Sequence, residues 1–176
     1  MDVTKKRKEV LFTREDINKR VAELGKQITE EYKDKKLMVI SLLKGSFIFT
    51  SDLVREIDAP VKIEFMATSS YGHSEESSGK VNILYDLNAD IQGYDVLVVD
   101  DIADTGITMK FVLKHLEAKA PASIKCCVLL DKPSRRKTEL EADYVGFTIP
   151  DKFIVGYGLN YGDYYRNVPY VFAFVD

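Results

Sequence analysis

The chain has 176 residues and a mass of 20.0 kDa, enough for one ordinary domain with a substantial core. With 45% hydrophobic and 30% charged residues it reads as a folded soluble protein and not a disordered one. The formal charge of −3 supplies no global basic field, which disfavours non-specific nucleic-acid binding, and no apolar stretch approaches a membrane span.

Met1-Asp2-Val3-Thr4 does not open a signal peptide. Cys126 and Cys127 are neighbours in an apparent strand, so they point to opposite faces and do not read as a disulfide or a metal site. A reducing cytoplasm is the expected compartment. The basic clusters Lys5-Lys6-Arg7-Lys8 and Arg135-Arg136-Lys137 are possible anion sites, the first more simply a solvated surface.

In chain order, Val10 to Phe12 make a short apolar start. Thr13 can cap a helix carrying Glu15 and Asp16 in its first turn, with Ile17, Val21, Leu24 and Ile28 as its apolar stripe down to about Lys33. Leu37 to Leu43 reads as a buried strand ending in Lys44-Gly45-Ser46, a turn where a cation and a close backbone approach suit an anion. No glycine stands five residues before Gly45, so this is not a Walker loop. The helix after it should bury Phe47, Leu53, Val54 and Ile57.

Val61 to Ala67 and Val81 to Tyr85 read as an antiparallel hairpin whose tip is a polar, glycine-bearing loop at about 69–80, a connector or a lid. His73 within it reads as solvent-exposed.

The organising stretch is residues 96–110. Val96 to Val99 form an unbroken aliphatic run, as in a strand buried on both faces of a parallel sheet, and end in the paired carboxylates Asp100 and Asp101. Asp104-Thr105-Gly106-Ile107-Thr108 then turns into a helix with Met109, Val112, Leu113 and Leu116 at helical spacing and His115 off that face, on the surface. Small and hydroxylated residues at such a helix start leave backbone N–H groups free for a phosphate. Ile124 to Leu130 is the next buried strand, ending in Asp131-Lys132-Pro133, and Tyr144 to Ile149 is a further short one. Phe153 to Tyr161 is aromatic and glycine-punctuated without the dinucleotide fingerprint, and Val171 to Val175 closes the chain. On its own, Phe153 reads as core and Lys132 as a surface charge.

The strand, the two acids and Asp-Thr-Gly-Ile-Thr resemble the phosphoribosyl-pyrophosphate (PRPP) signature of the type I phosphoribosyltransferases. Nearly the whole chain resembles their hypoxanthine-guanine branch. The resemblance implies an α/β fold with a central, mainly parallel sheet flanked by helices, a small hood contributed by about 1–12 and 131–176, and a flexible lid. It also implies phosphoribosyl transfer from PRPP to a 6-oxopurine, with Mg²⁺ as cofactor, in a homodimer or homotetramer without nucleic-acid or membrane partners. Adenine or xanthine transfer, or an RNA-binding regulator on the same fold, are the competing readings.

Carried over residue by residue, the family places a pyrophosphate loop at Leu43-Lys44-Gly45-Ser46, typically with a cis leucine–lysine peptide, and a pyrophosphate contact at Arg166. Ser70 and Tyr71 match its lid pair. Asp100 and Asp101 match the acids facing the ribose hydroxyls and metal. Asp104 matches the acid near N7 of the purine, a general base or proton acceptor. Asp104, Thr105, Gly106, Ile107 and Thr108 match the 5-phosphate cradle. Lys132 matches the donor to the oxygen at C6, Phe153 the ring stacked on the base, and Ile154 the carbonyl facing C2. The chain departs from the family at Asn160, where an aspartate usually helps hold a second Mg²⁺; asparagine loses the charge but keeps an oxygen acceptor.

Overall fold

The structure is a computed structural model that describes residues 6–70 and 80–175. Strand β1 (Arg7–Phe12) leads into Thr13, which caps α1 (Arg14–Glu31) reciprocally. The Thr13 hydroxyl accepts from Asp16 N at 3.1 Å, and the Asp16 carboxylate accepts from Thr13 N at 2.9 Å. Helix α1 stops at Glu31, two residues short of the expected end. There follow β2 (Leu37–Leu43), α2 (Phe47–Arg55), β3 (Val61–Ser70), β4 (Val81–Tyr85), β5 (Asp95–Ala103), α3 (Ile107–Glu117), β6 (Ser123–Asp131), β7 (Tyr144–Thr148), β8 (Ile154–Val155) and β9 (Val171–Val175).

The main sheet has the order β4-β3-β2-β5-β6-β7, and every neighbouring pair is parallel except the β3–β4 hairpin. Side chains alternate across it. Val39, Leu97, Val99 and Cys127 face α1 and α2, while Met38, Ile40, Val96, Val98 and Cys126 face α3. The two cysteines therefore lie in different core layers, and both are free and buried.

A separate three-stranded sheet, β1-β9-β8, joins the two ends of the described chain by antiparallel pairing. The stretch 131–176, expected to build the hood, is shared between the sheets: its strand β7 pairs with β6 in the main sheet. Of the loop expected at about 69–80, residues 71–79, with Tyr71 and His73, lie outside the described residues, and Ser70 ends β3.

Three expectations need correction. Helix α2 buries Phe49, Thr50 and Leu53, not Phe47, because the stripe that keeps helical spacing with Leu53 starts at Phe49; Val54 is half-buried and Ile57 packs from beyond the helix end. Strand β5 does not end at the acids but continues to Ala103, because pairing with β6 extends to Ala103 and Asp131. His115 is not a free surface residue: α3 packs beside β4, and His115 Nε2 meets both Asp86 carboxylate oxygens at 3.1 Å.

Candidate active site

Strands β2 and β5 pair only as far as Ser41 and Val99, and beyond that point they diverge. Strand β2 turns into Lys44-Gly45, while β5 runs on beside β6 alone through Asp100 and Asp101. The gap opens where the strand order reverses, with β3 on one side of β2 and β5 on the other, which is where open α/β sheets receive ligands.

The loop after β2 is fixed from below by buried hydroxyls. Ser41 Oγ lies 2.8 Å from both Ser46 Oγ and Thr50 Oγ1, and Ser46 Oγ donates to Leu42 O at 2.6 Å. The Leu43–Lys44 peptide is cis. Gly45 is required by close approach: a Cβ there would land on the Asp101 carboxylate.

Asp100 Oδ1 accepts from Asp101 N at 2.9 Å. Burial, then the adjacent Asp101 carboxylate, holds the Asp100 carboxyl well above the usual carboxylate range. Burial also pushes Asp101 up, while hydrogen bonds and the Arg166 guanidinium pull the other way. Two crowded carboxylates that resist ionisation are relieved by a divalent cation, and hard oxygen donors suit Mg²⁺. Among the described residues no group of three or more His, Cys, Asp or Glu side chains forms a full protein cage. A pair of carboxylates completed by substrate oxygens is the common arrangement for Mg²⁺, so the donor set fits.

Past β5 the chain enters α3 through Gly106, at φ +83°, a left-handed N-cap with no side-chain cap. The nearest side-chain acceptor to Ile107 N is Thr105 Oγ1, at a long 3.4 Å. The first turn of α3 thus lacks a side-chain cap at Gly106, and such N–H groups can receive an anion.

The far end of the site lies just past β6, where Lys132 meets Asp151 on the segment that leads into β8. Lys132 is buried rather than on the surface; its Nζ is 3.9 Å from Asp151 Oδ1, and its backbone N donates to Ala103 O at 2.9 Å. Phe153 is not core: it is 63% exposed, with its ring edge-on to Tyr161. Ile154 is buried in β8, paired with Ala173. Asp104 is held by Arg135, whose Nε donates to Oδ1 at 3.1 Å, and Arg135 also reaches Asp151 at 3.7 Å.

The family model for the phosphoribosyl transferase domain matches residues 10–162. A hypoxanthine-guanine phosphoribosyltransferase of Aquifex aeolicus is 49% identical over 176 residues, spanning 99% of both chains. The chain belongs to the hypoxanthine-guanine phosphoribosyltransferase family. A hypoxanthine phosphoribosyltransferase of Haemophilus influenzae is 49% identical over 93% of each chain. The crystal structure of a hypoxanthine phosphoribosyltransferase from Staphylococcus aureus superposes with a TM-score of 0.91 at 47% identity, covering 95% of this chain and 91% of that one.

In this member of the hypoxanthine-guanine phosphoribosyltransferase family, several site supports were not legible as such. Arg136, part of a suspected anion cluster, is consumed internally: its guanidinium donates to Ala103 O at 3.2 Å, Asp104 O at 2.9 Å, Asp131 Oδ1 at 2.6 Å and Leu140 O at 3.0 Å. It clamps the loop at Ala103 and Asp104 to Asp131 at the end of β6. Arg166 Nη1 donates to Gly158 O at 2.6 Å, and Asn160 Nδ2 turns back to Gly162 O at 2.7 Å. Gly158, at φ +101°, packs so closely on the Lys44-Gly45 loop that a Cβ would strike the Gly45 carbonyl.

Proposed function

We propose that this chain transfers the 5-phosphoribosyl group of PRPP to N9 of hypoxanthine or guanine, releasing pyrophosphate and IMP or GMP. The reaction takes place in the cytoplasm, needs Mg²⁺, and is carried out by a homodimer or homotetramer. The observation that carries this reading is one cleft between β2 and β5 lined by an uncapped helix start, a pair of half-buried carboxylates and the Lys44-Gly45 turn.

The 5-phosphate docks on the N–H groups and hydroxyls of Thr105, Gly106, Ile107 and Thr108. Asp100 and Asp101 accept from the vicinal ribose hydroxyls and hold Mg²⁺, which neutralises charge on the departing pyrophosphate when bound. Lys44, the Gly45 backbone and Arg166 take the pyrophosphate oxygens. At the other end the exposed ring of Phe153 stacks on the purine, buried Lys132 donates to the oxygen at C6, and the Ile154 carbonyl faces C2. A donor at C6 favours oxopurines over adenine, whose amino group would face it. As the C1–pyrophosphate oxygen bond breaks and the C1–N9 bond forms, the nearby carboxylates stabilise the cationic sugar, and Asp104 accepts the proton that the purine loses. Ser70 and Tyr71 belong to the lid that excludes water.

Pyrophosphate release is measured with PRPP and Mg²⁺, offering hypoxanthine, guanine, xanthine and adenine separately. Turnover of the first two and little of adenine is expected. Turnover of none, by protein that binds RNA in a salt-dependent way, would replace this reading with the regulator.

Asn160 bears on the metal. Its Nδ2 donates within its own turn and its amide oxygen carries no charge, and cation affinity at oxygen sites follows ligand charge. Asn160→Asp is therefore expected to lower the Mg²⁺ concentration giving half-maximal activity by about threefold or more. Superimposable Mg²⁺ curves would remove that role for position 160.

A further inference from the structure

The turn that presses Gly158 onto the pyrophosphate loop contains a bulky residue in a backbone conformation suited to glycine. Tyr157 has φ +49°, between Gly156 and Gly158, both at φ +101°. A tyrosine there is strained and persists only where surrounding contacts over-determine it. Those contacts are present. Tyr157 is 3% exposed with its ring in the α1–α2 core layer, its N–H donates to Val168 O at 2.7 Å, and its hydroxyl donates to Asp52 Oδ2 at 2.5 Å. Burial and then Asp52 hold the phenol far above the usual tyrosine range, so it remains a donor. The other Asp52 oxygen is taken by Arg55 at 2.5 Å.

Asp52 and Arg55 lie on α2, the helix that grows directly out of Lys44-Gly45-Ser46. The 156–159 turn closes on itself through Gly156 N to Leu159 O at 2.9 Å and docks on the following segment through Gly158 N to Arg166 O at 2.8 Å. Arg166 returns the contact through Nη1 to Gly158 O. One continuous path therefore runs from α2 through Asp52 and Tyr157 to Gly158, and from there to the Gly45 carbonyl on one side and to Arg166, near Asp101, on the other.

We infer that Tyr157, tied to Asp52, is a positioning residue that sets the hood turn against the Lys44-Gly45 loop and thereby the geometry of the pyrophosphate contacts. Tyr157 does not touch substrate; its effect passes through Gly158, Gly45 and Arg166. The inference rests on the assignment of Lys44, Gly45 and Arg166 to pyrophosphate.

The test compares Tyr157→Phe, which keeps the ring and its packing, with the wild type. Loss of a hydrogen bond to a carboxylate should raise KM for PRPP and the inhibition constant of pyrophosphate by about five- to twentyfold. KM for hypoxanthine should move less than about twofold, because Lys132 and Asp104 sit on other elements and Phe153 lies across β8 from the Tyr157 turn. Asp52→Ala should reproduce the effect, the double variant should be no worse than either single one, and Asp52→Asn, which keeps an oxygen acceptor, should restore most of it. Calorimetric titration with inorganic pyrophosphate and Mg²⁺ reads the same change without turnover. If the wild type turns over no purine, the proposed reaction fails, while the ratio of pyrophosphate affinities still decides the role of Tyr157. Equal rises in both KM values, or unchanged pyrophosphate affinity in Tyr157→Phe, would reduce Tyr157 to a packing residue.

Discussion

Asp104→Asn is expected to lower kcat with hypoxanthine and with guanine by about 10²–10⁴-fold, the range in which a positioned proton acceptor contributes. The change is close to isosteric. Arg135 Nε would keep an oxygen acceptor at 3.1 Å, Arg136 would still hold the Asp104 carbonyl, and Gly106 would keep its left-handed turn. The loop should therefore stay in place and KM for PRPP should change little, because the proposed phosphate contacts come from backbone N–H groups and from Thr105 and Thr108. What disappears is the carboxylate's ability to take a proton from the purine as C1–N9 bonding develops. Steady-state kinetics with each base varied at saturating PRPP make the measurement. A loss of less than about threefold would mean that the proton leaves by another route, directly to water.

The same comparison shows why some of this site was legible in sequence and some was not. Val96 to Thr108 carried its meaning locally: an aliphatic run fixes a strand buried on both faces, and small residues after it fix an uncapped helix start. Periodicity placed the stripes of α1 and α3 but chose the wrong phenylalanine in α2, because two apolar residues two positions apart offer competing stripes and only the tertiary neighbour decides. Lys132 and Phe153 show a sharper limit. By residue type the lysine belongs outside and the phenylalanine inside, yet the lysine is 6% exposed and the phenylalanine 63%. A lysine drawn inside and a phenylalanine left out run against what residue type alone implies, and the proposed base-binding roles of the two residues rest on the family resemblance. The clamps on the loops were hidden for a different reason. The Tyr157–Asp52 bond spans 105 residues and the Arg136–Ala103 bond spans 33. No local pattern encodes a hydrogen bond across that distance, although a tyrosine set between two glycines was a visible sign of an unusual turn.

The carboxylate pair allows the second large effect to be set against stability. Asp100→Asn is expected to abolish most of the Mg²⁺-dependent activity, by about 10²-fold or more, while raising the Tm of the substrate-free protein by roughly 2–5 °C. The asparagine oxygen can still accept from Asp101 N, so the strand end need not move. The sign follows from the shift. A carboxyl whose pKa is raised in the fold is ionised more readily in the unfolded chain, so it destabilises the fold as pH rises through its unfolded value near 3.8 and does so fully above its folded value. The wild type should therefore be the less stable protein at neutral pH, and the gap should close below about pH 4, where both forms of the chain carry the proton. Mg²⁺ with PRPP should reverse the order, because ligands that bind only the folded wild type stabilise it in proportion to their concentration over Kd, and the variant has lost one of its two carboxylate donors. Thermal melts of both proteins at pH 3.5 and 7.5, with and without Mg²⁺ and PRPP, read all of this. A lower Tm for Asp100→Asn at pH 7.5 without ligands would mean that the two acids are not in conflict in the empty cleft, and the argument for a cation between them would lose its electrostatic basis.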